Sequence, residues 1–90
     1  MTNFQPYATF DPDADAIYVY LLNAPVARSK SIDDLRNVDY SADGGVVGVE
    51  FLGVSGGVDL SDVPYRPRVE RAIKDKGINV LPLSCPFNPP

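Results

Sequence analysis

The sequence predicts an α+β domain: an antiparallel β-meander of four to five strands with one C-terminal helix packed on the sheet. Three observations carry this expectation. "AIYVYLL" (residues 16–22) is a β-branched and aromatic run bounded by turn residues, the composition of a well-packed strand. "NVDYSADGGVVGVEFLG" (residues 37–53) holds Asp43-Gly44-Gly45 between two alternating segments, and such residues supply the positive φ angles that hairpin turns require. Beyond residue 66 the apolar period lengthens to that of a helix, between Pro67 and Gly77. Those two residues suit the first turn and the C′ position of a helix.

Taken in order, residues 1–6 read as a loose arm and "YATF" (7–10) as a short strand. "DPDAD" (11–15) turns the chain: Pro12 has the φ of the second turn position, and Asp11 before it is placed to accept backbone N–H bonds. The strand 16–22 sets Ile17, Val19 and Leu21 on one face and Tyr18, Tyr20 and Leu22 on the other. Both faces are apolar, which predicts a central strand covered at least partly on both sides. "NAP" (23–25) leads into "VARSKSI" (26–32), a polar strand suited to an edge. Its Arg28 and Lys30 share a face, a device that discourages edge-to-edge pairing.

"DDLR" (33–36) is a connection to the hairpin. A two-residue loop at Gly44-Gly45 pairs Val38 with Phe51, Tyr40 with Val49 and Ala42 with Val47, leaving Asp39, Ser41, Gly48 and Glu50 on the other face. A loop two residues longer keeps these faces and shifts the partners. The sheet thus spans about 7–53, a Gly- and Pro-rich linker 54–66, and the helix about 67–76. Val69, Ala72, Ile73 and Lys76 form the inner stripe of that helix. Three turns do not hold alone in water, so the helix must dock on the sheet. "INVLPL" (78–83) reads as a short extended return, and 82–90 as an irregular tail.

The 90 residues make a single domain, 1–90, because two separate cores would be too small to fold. No segment reaches the ~20 apolar residues of a membrane span. The start lacks the basic cluster and apolar run of a signal peptide, so the expected location is cytoplasmic. There is no histidine and one cysteine, Cys85. This removes Ser–His and Cys–His catalysis, histidine-ligated metals, an intrachain disulfide and a cysteine zinc site. No cofactor is expected.

The net charge of −4 is unevenly spread: residues 1–65 carry three basic and ten acidic side chains, residues 66–90 five basic and two acidic. An acidic chain lacks the broad basic surface that a phosphate backbone needs. Among the aromatics only Tyr65 lies near the cations of the helix, so no stacking platform for single strands is evident.

Asp11, Asp13 and Asp15 fill the first, third and fifth positions of a calcium loop. The sixth, however, is Ala16 rather than glycine, and the twelfth is Leu22 rather than glutamate. A turn whose Asp side chains cap backbone donors is the better reading. The two blocks "FDPDADAIYVYL" and "NVDYSADGGVVGVEFLG" together closely resemble the family catalogued as domain of unknown function 2283. Its members share a D-P-x-A-D-A-hydrophobic-Tyr opening and a later N-V-D-x-x-x-D-G-x-V-V-G-hydrophobic-E segment. The resemblance covers residues 10–53 and implies a small bacterial antiparallel sheet with a helix. It implies no established activity and offers no catalytic residues to carry over.

Two functional expectations follow. The first is a non-catalytic protein-interaction or regulatory module, a homodimer or the binder of a small protein partner. Tyr18, Tyr20 and Leu22 form its candidate self-association face, because an aromatic patch on a small sheet is most simply hidden by a second copy. The second is a divalent-metal binder or hydrolase built on Asp39 and Glu50, which the two-residue loop places directly opposite each other. Like charges so placed call for a cation, a raised pKa or a basic partner such as Arg28 or Lys30. Asp11, Asp13 and Asp15 are the remaining candidate ligands.

Overall fold

The computed structural model describes residues 4–83. Two local units make the sheet. Strand β1 (Tyr7–Asp11) pairs with β2 (Ala16–Tyr20) around the turn at 12–15, while β3 (Arg28–Asp33), β4 (Arg36–Tyr40) and β5 (Val46–Leu52) run as an up-and-down unit. The two units join because β5 lies antiparallel beside β2, giving one five-stranded sheet in the order β1-β2-β5-β4-β3. β5 is therefore the middle strand, β2 is interior, and β3 is an edge as its basic side chains require.

Turn chemistry sets the joints. Asp11 accepts the N–H groups of Asp13 and Ala14 at 3.1 and 3.2 Å, and Asp15 closes the turn in the left-handed region at φ 53°. The β4–β5 hairpin closes between Ser41 and Gly45, with Ser41 N–H donating to the Gly45 carbonyl at 2.8 Å. Its loop is therefore Ala42–Asp43–Gly44, with Gly44 at φ 92°, the three-residue hairpin that needs a left-handed residue. The two-residue loop at Gly44-Gly45 is not formed. Val38 pairs with Val49 and Asp39 with Gly48, whereas Tyr40 pairs with Val46, so Val47 is an extra residue in a bulge. Its carbonyl accepts both Leu21 and Leu22 N–H at 2.8 and 3.1 Å, which ends β2 at Tyr20. The bulge flips the alternation near the turn: Val46, not Val47, packs on the core with Tyr40.

One face of the sheet is covered. Helix α1 (Arg66–Asp75) begins one residue earlier than its proline suggests and packs over β1 and β2, placing Val69, Ala72 and Ile73 in one buried cluster with Ile17, Val19, Val38, Val49 and Phe51. Gly77 at φ 77° ends it, with its N–H on the Lys74 carbonyl at 2.9 Å. Lys76 consequently falls past the helix and is exposed, not part of the inner stripe.

The segment between β5 and α1 contributes to the same cluster through Val54, Val58, Leu60 and Val63. Its tie to the sheet is Arg36, only 9% exposed. Arg36 donates to Asp33 Oδ2 through Nε (3.1 Å) and Nη2 (2.9 Å), and through Nη1 to the carbonyls of Asp59 (3.1 Å) and Ser61. A guanidinium presents enough fixed donors to be buried this way without an orphaned proton. Val58 and Val80 then form a parallel bridge, the extended return of residues 78–83. Among the described residues no helix is long and apolar enough to cross a membrane. Cys85 and the tail beyond residue 83 lie outside the described residues.

Candidate functional site

Alternation along the strands sends a second set of side chains to the face opposite the helix. Ala8, Ile17, Val19, Val38 and Val49 point to the core, so Tyr7, Thr9, Tyr18, Tyr20, Ser29, Ser31, Asn37, Asp39 and Glu50 share the other face, which among the described residues no helix or strand covers. Three of these are mutually packed tyrosines. Tyr7 stacks on Tyr20 with ring centroids 4.7 Å apart at 15°, and Tyr20 meets Tyr18 at 4.6 Å and 54°. Such pairs add roughly 0.5–1.5 kcal/mol each beyond area burial.

Tyr18 extends this row across the middle of the sheet. It belongs to β2, yet its hydroxyl donates to Asp39 Oδ2 on β4 at 2.7 Å, so the ring must pass over β5. The residue beneath it is Gly48, where a Cβ would stand 2.3 Å from the ring. Gly48 is the only residue type that fits there. Burial pushes the Tyr18 phenol up, and the Asp39 hydrogen bond and charge push it further. It stays protonated well above the ordinary tyrosine range and works as a donor, not as a base.

Asp39 is held on three sides. Besides Tyr18, the Ser29 hydroxyl and Asn37 Nδ2 (3.0 Å) donate to its Oδ1, and Ser31 donates to Asn37 Oδ1 at 3.4 Å. These three donors fix the orientation of the carboxylate and occupy both of its oxygens. Glu50 is not opposite it. The bulged register places Asn37 across from Glu50 and Gly48 across from Asp39, so the two acids are diagonal neighbours. Arg28 and Lys30 do not neutralise them, because they alternate with Ser29 and face the helix side, where Arg28 sits 5.7 Å from the Tyr40 ring. Hydrogen-bond donors, not a cation, stabilise Asp39.

The other candidate carboxylates are separated by their turn roles. Asp11 caps the turn, whereas Asp15 turns away to accept Ser55 N–H at 2.9 Å and the Ser55 hydroxyl at 2.7 Å. Among the described residues no three His, Cys, Asp or Glu side chains gather as a metal site. Asp43 receives the Ser41 hydroxyl and Gly45 N–H. These hold its carboxyl below the usual range, the Ser41 bond first. Tyr18 and Tyr20 lie on the face expected for them. Leu22 has left the strand at the bulge and is exposed near Ala24, Pro25 and Ala27.

Sequence reasoning assigned no role to Arg36, Ser29 and Asn37, and it placed Gly48 on the Asp39 face without a partner. Arg36 had a signal: in "RNVDY" period two puts it with Val38 and Tyr40 on the core face, where a charge demands partners. Gly48 had none, because a ring crossing the neighbouring strand depends on register.

A family model described as "Protein of unknown function (DUF2283)" matches residues 8–55 of the chain. That span covers all five strands except Tyr7, the first residue of β1, and ends on Ser55, the residue Asp15 holds. No curated protein matches the chain. Nor does any solved structure.

Proposed function

From the premise that the chain belongs to this family of proteins of unknown function, we propose that it is a non-catalytic cytoplasmic interaction module that self-associates. The observation that carries the reading is the uncovered sheet face, whose Tyr18–Tyr20–Tyr7 row runs out to the β1 edge. Tyr7, the outermost member, is 49% exposed although it stacks on Tyr20. Packed aromatic surface left in water at a sheet margin favours a protein partner, and a second copy is the simplest. The engaged state of Asp39, the diagonal placement of Glu50 and the protonated Tyr18 support a binding role over acid–base chemistry. Light scattering across low to high micromolar concentration tests it. A mass above that of one chain is expected, and a strict monomer throughout refutes self-association.

A further inference from the structure

The two margins of the sheet differ in how they treat a passing strand. The β3 margin carries Arg28 and Lys30, and its register is irregular between Ser31 and Asp33; charges and bulges are the devices that block edge pairing. The β1 margin has no bulge, and the one charge among its strand residues is Asp11 at the turn end. Tyr7, Ala8, Thr9 and Phe10 are uncharged and pair with β2 in unbroken register. Tyr7 and Phe10 are 49% and 39% exposed, and among the described residues no strand pairs with the outer side of β1.

We infer that the β1 edge pairs antiparallel with the β1 edge of a second copy about a two-fold axis at Thr9, joining two sheets into one of ten strands. The inference rests on the self-association reading and names the edge through which it occurs. The segment is self-complementary in this register. Thr9 faces the partner's Thr9 on the uncovered side, a favourable cross-strand pair. Ala8, the small residue of the covered side, receives the exposed ring of the partner's Phe10. Tyr7 faces the partner's Asp11.

Charge agrees with this register. Continuing it past Asp11 brings the partner's Pro12–Asp13 turn beside Pro6 and Gln5. Those two residues, with Arg68, Arg71 and Asp75, line a cleft of about 400 Å³. Two cations against one carboxylate make it net positive, and neither arginine has a carboxylate partner among the described residues. The acidic turn of each copy thus lands at the basic cleft of the other, twice in the dimer by symmetry.

The test is the solution mass and dissociation constant of the full chain and five variants, with circular dichroism to confirm folding. Thr9→Lys, which sets two lysines against each other at the axis, yields monomer. Arg71→Glu and Asp13→Lys each weaken the dimer by about tenfold or more, and combining them in one chain restores it. Ser31→Lys, on the other margin, leaves the dimer intact. A folded Thr9→Lys dimer, or dissociation by Ser31→Lys instead, overturns the edge assignment while self-association stands. A monomeric wild type overturns both. Should Thr9→Lys fail to fold, amide exchange of wild-type residues 7–11 decides. Protection that rises with protein concentration supports the pairing, and concentration-independent exchange overturns it.

Discussion

On the covered face of the sheet, Ile17, Val19, Val49 and Phe51 share one buried apolar cluster with Val69 and Ile73 of the helix. On the other face, the same strands carry tyrosines, serines and an aspartate joined by directed hydrogen bonds and ring contacts. Burial on the first side is non-directional and scales with apolar area. Order on the second depends on register, because each bond links particular strands. Tyr18 to Asp39 spans β2 to β4, and Ser29 to Asp39 spans β3 to β4. The difference teaches that stability and surface shape are assigned to opposite sides of one sheet. A substitution should therefore show by its size which side it struck.

The largest loss is expected from Ile73→Ala, which empties a fully buried site and should cost about 4 kcal/mol in denaturant unfolding. Arg36→Ala should follow at about 3 kcal/mol, since it leaves the carbonyls of Asp59 and Ser61 without their donor. Equal costs for Arg36→Ala and Arg36→Met would confirm that the lost bonds set the value, whereas a much smaller cost for Met would assign it to packing. Gly48→Ala tests the other side: the added methyl displaces the Tyr18 ring and should cost about 2 kcal/mol. A loss below about 0.5 kcal/mol would mean that the ring is not pinned. Tyr18→Phe should cost about 1 kcal/mol, and a double-mutant cycle with Asp39→Asn should assign most of it to that pair.

The smallest effect is pH dependence on the covered side. Asp33 is lowered chiefly by its Arg36 hydrogen bonds, and Asp59 chiefly by the Ser61 amide. A depressed carboxyl contributes stability above its unfolded value, about 4, and loses it as pH falls through the lower folded value. Melting temperature should therefore hold near neutrality and decline below about pH 4, and Asp33→Asn should flatten the decline. Tyr18 has the opposite sign, its contribution fading only above about pH 10, visible as one late-ionising phenolate in an alkaline ultraviolet titration.

The strands, the helix and the division of faces were legible because alternation and turn residues are local signals. "AIYVYLL" and the Pro67-to-Gly77 stretch reported their structures without reference to anything distant. The pairing of Asp39 with Glu50 was misread because register near the hairpin depends on one residue. Ser41 and Asp43 close a three-residue loop, and Val47 bulges to restore the pairing beyond. A slip of that size moves an acid from one neighbour to another. The linker at 54–66 was read for its glycines and prolines, which obscured Val54, Val58, Leu60 and Val63 as core residues. Their spacing follows neither two nor 3.6, because the path is irregular and only Arg36, Asp15 and the bridge to Val80 hold it.

The strand order has a consequence for assembly in time. The central strand of the finished sheet is the last to leave the ribosome, so the N-terminal hairpin waits with one margin unmatched until residue 52 has emerged. Local hairpins close within microseconds, whereas joining β2 to β5 needs contacts some thirty residues apart and so limits the rate. The nascent hairpin spends that interval with two open borders instead of one, and the unmatched flank of β2 exposes it to mispairing.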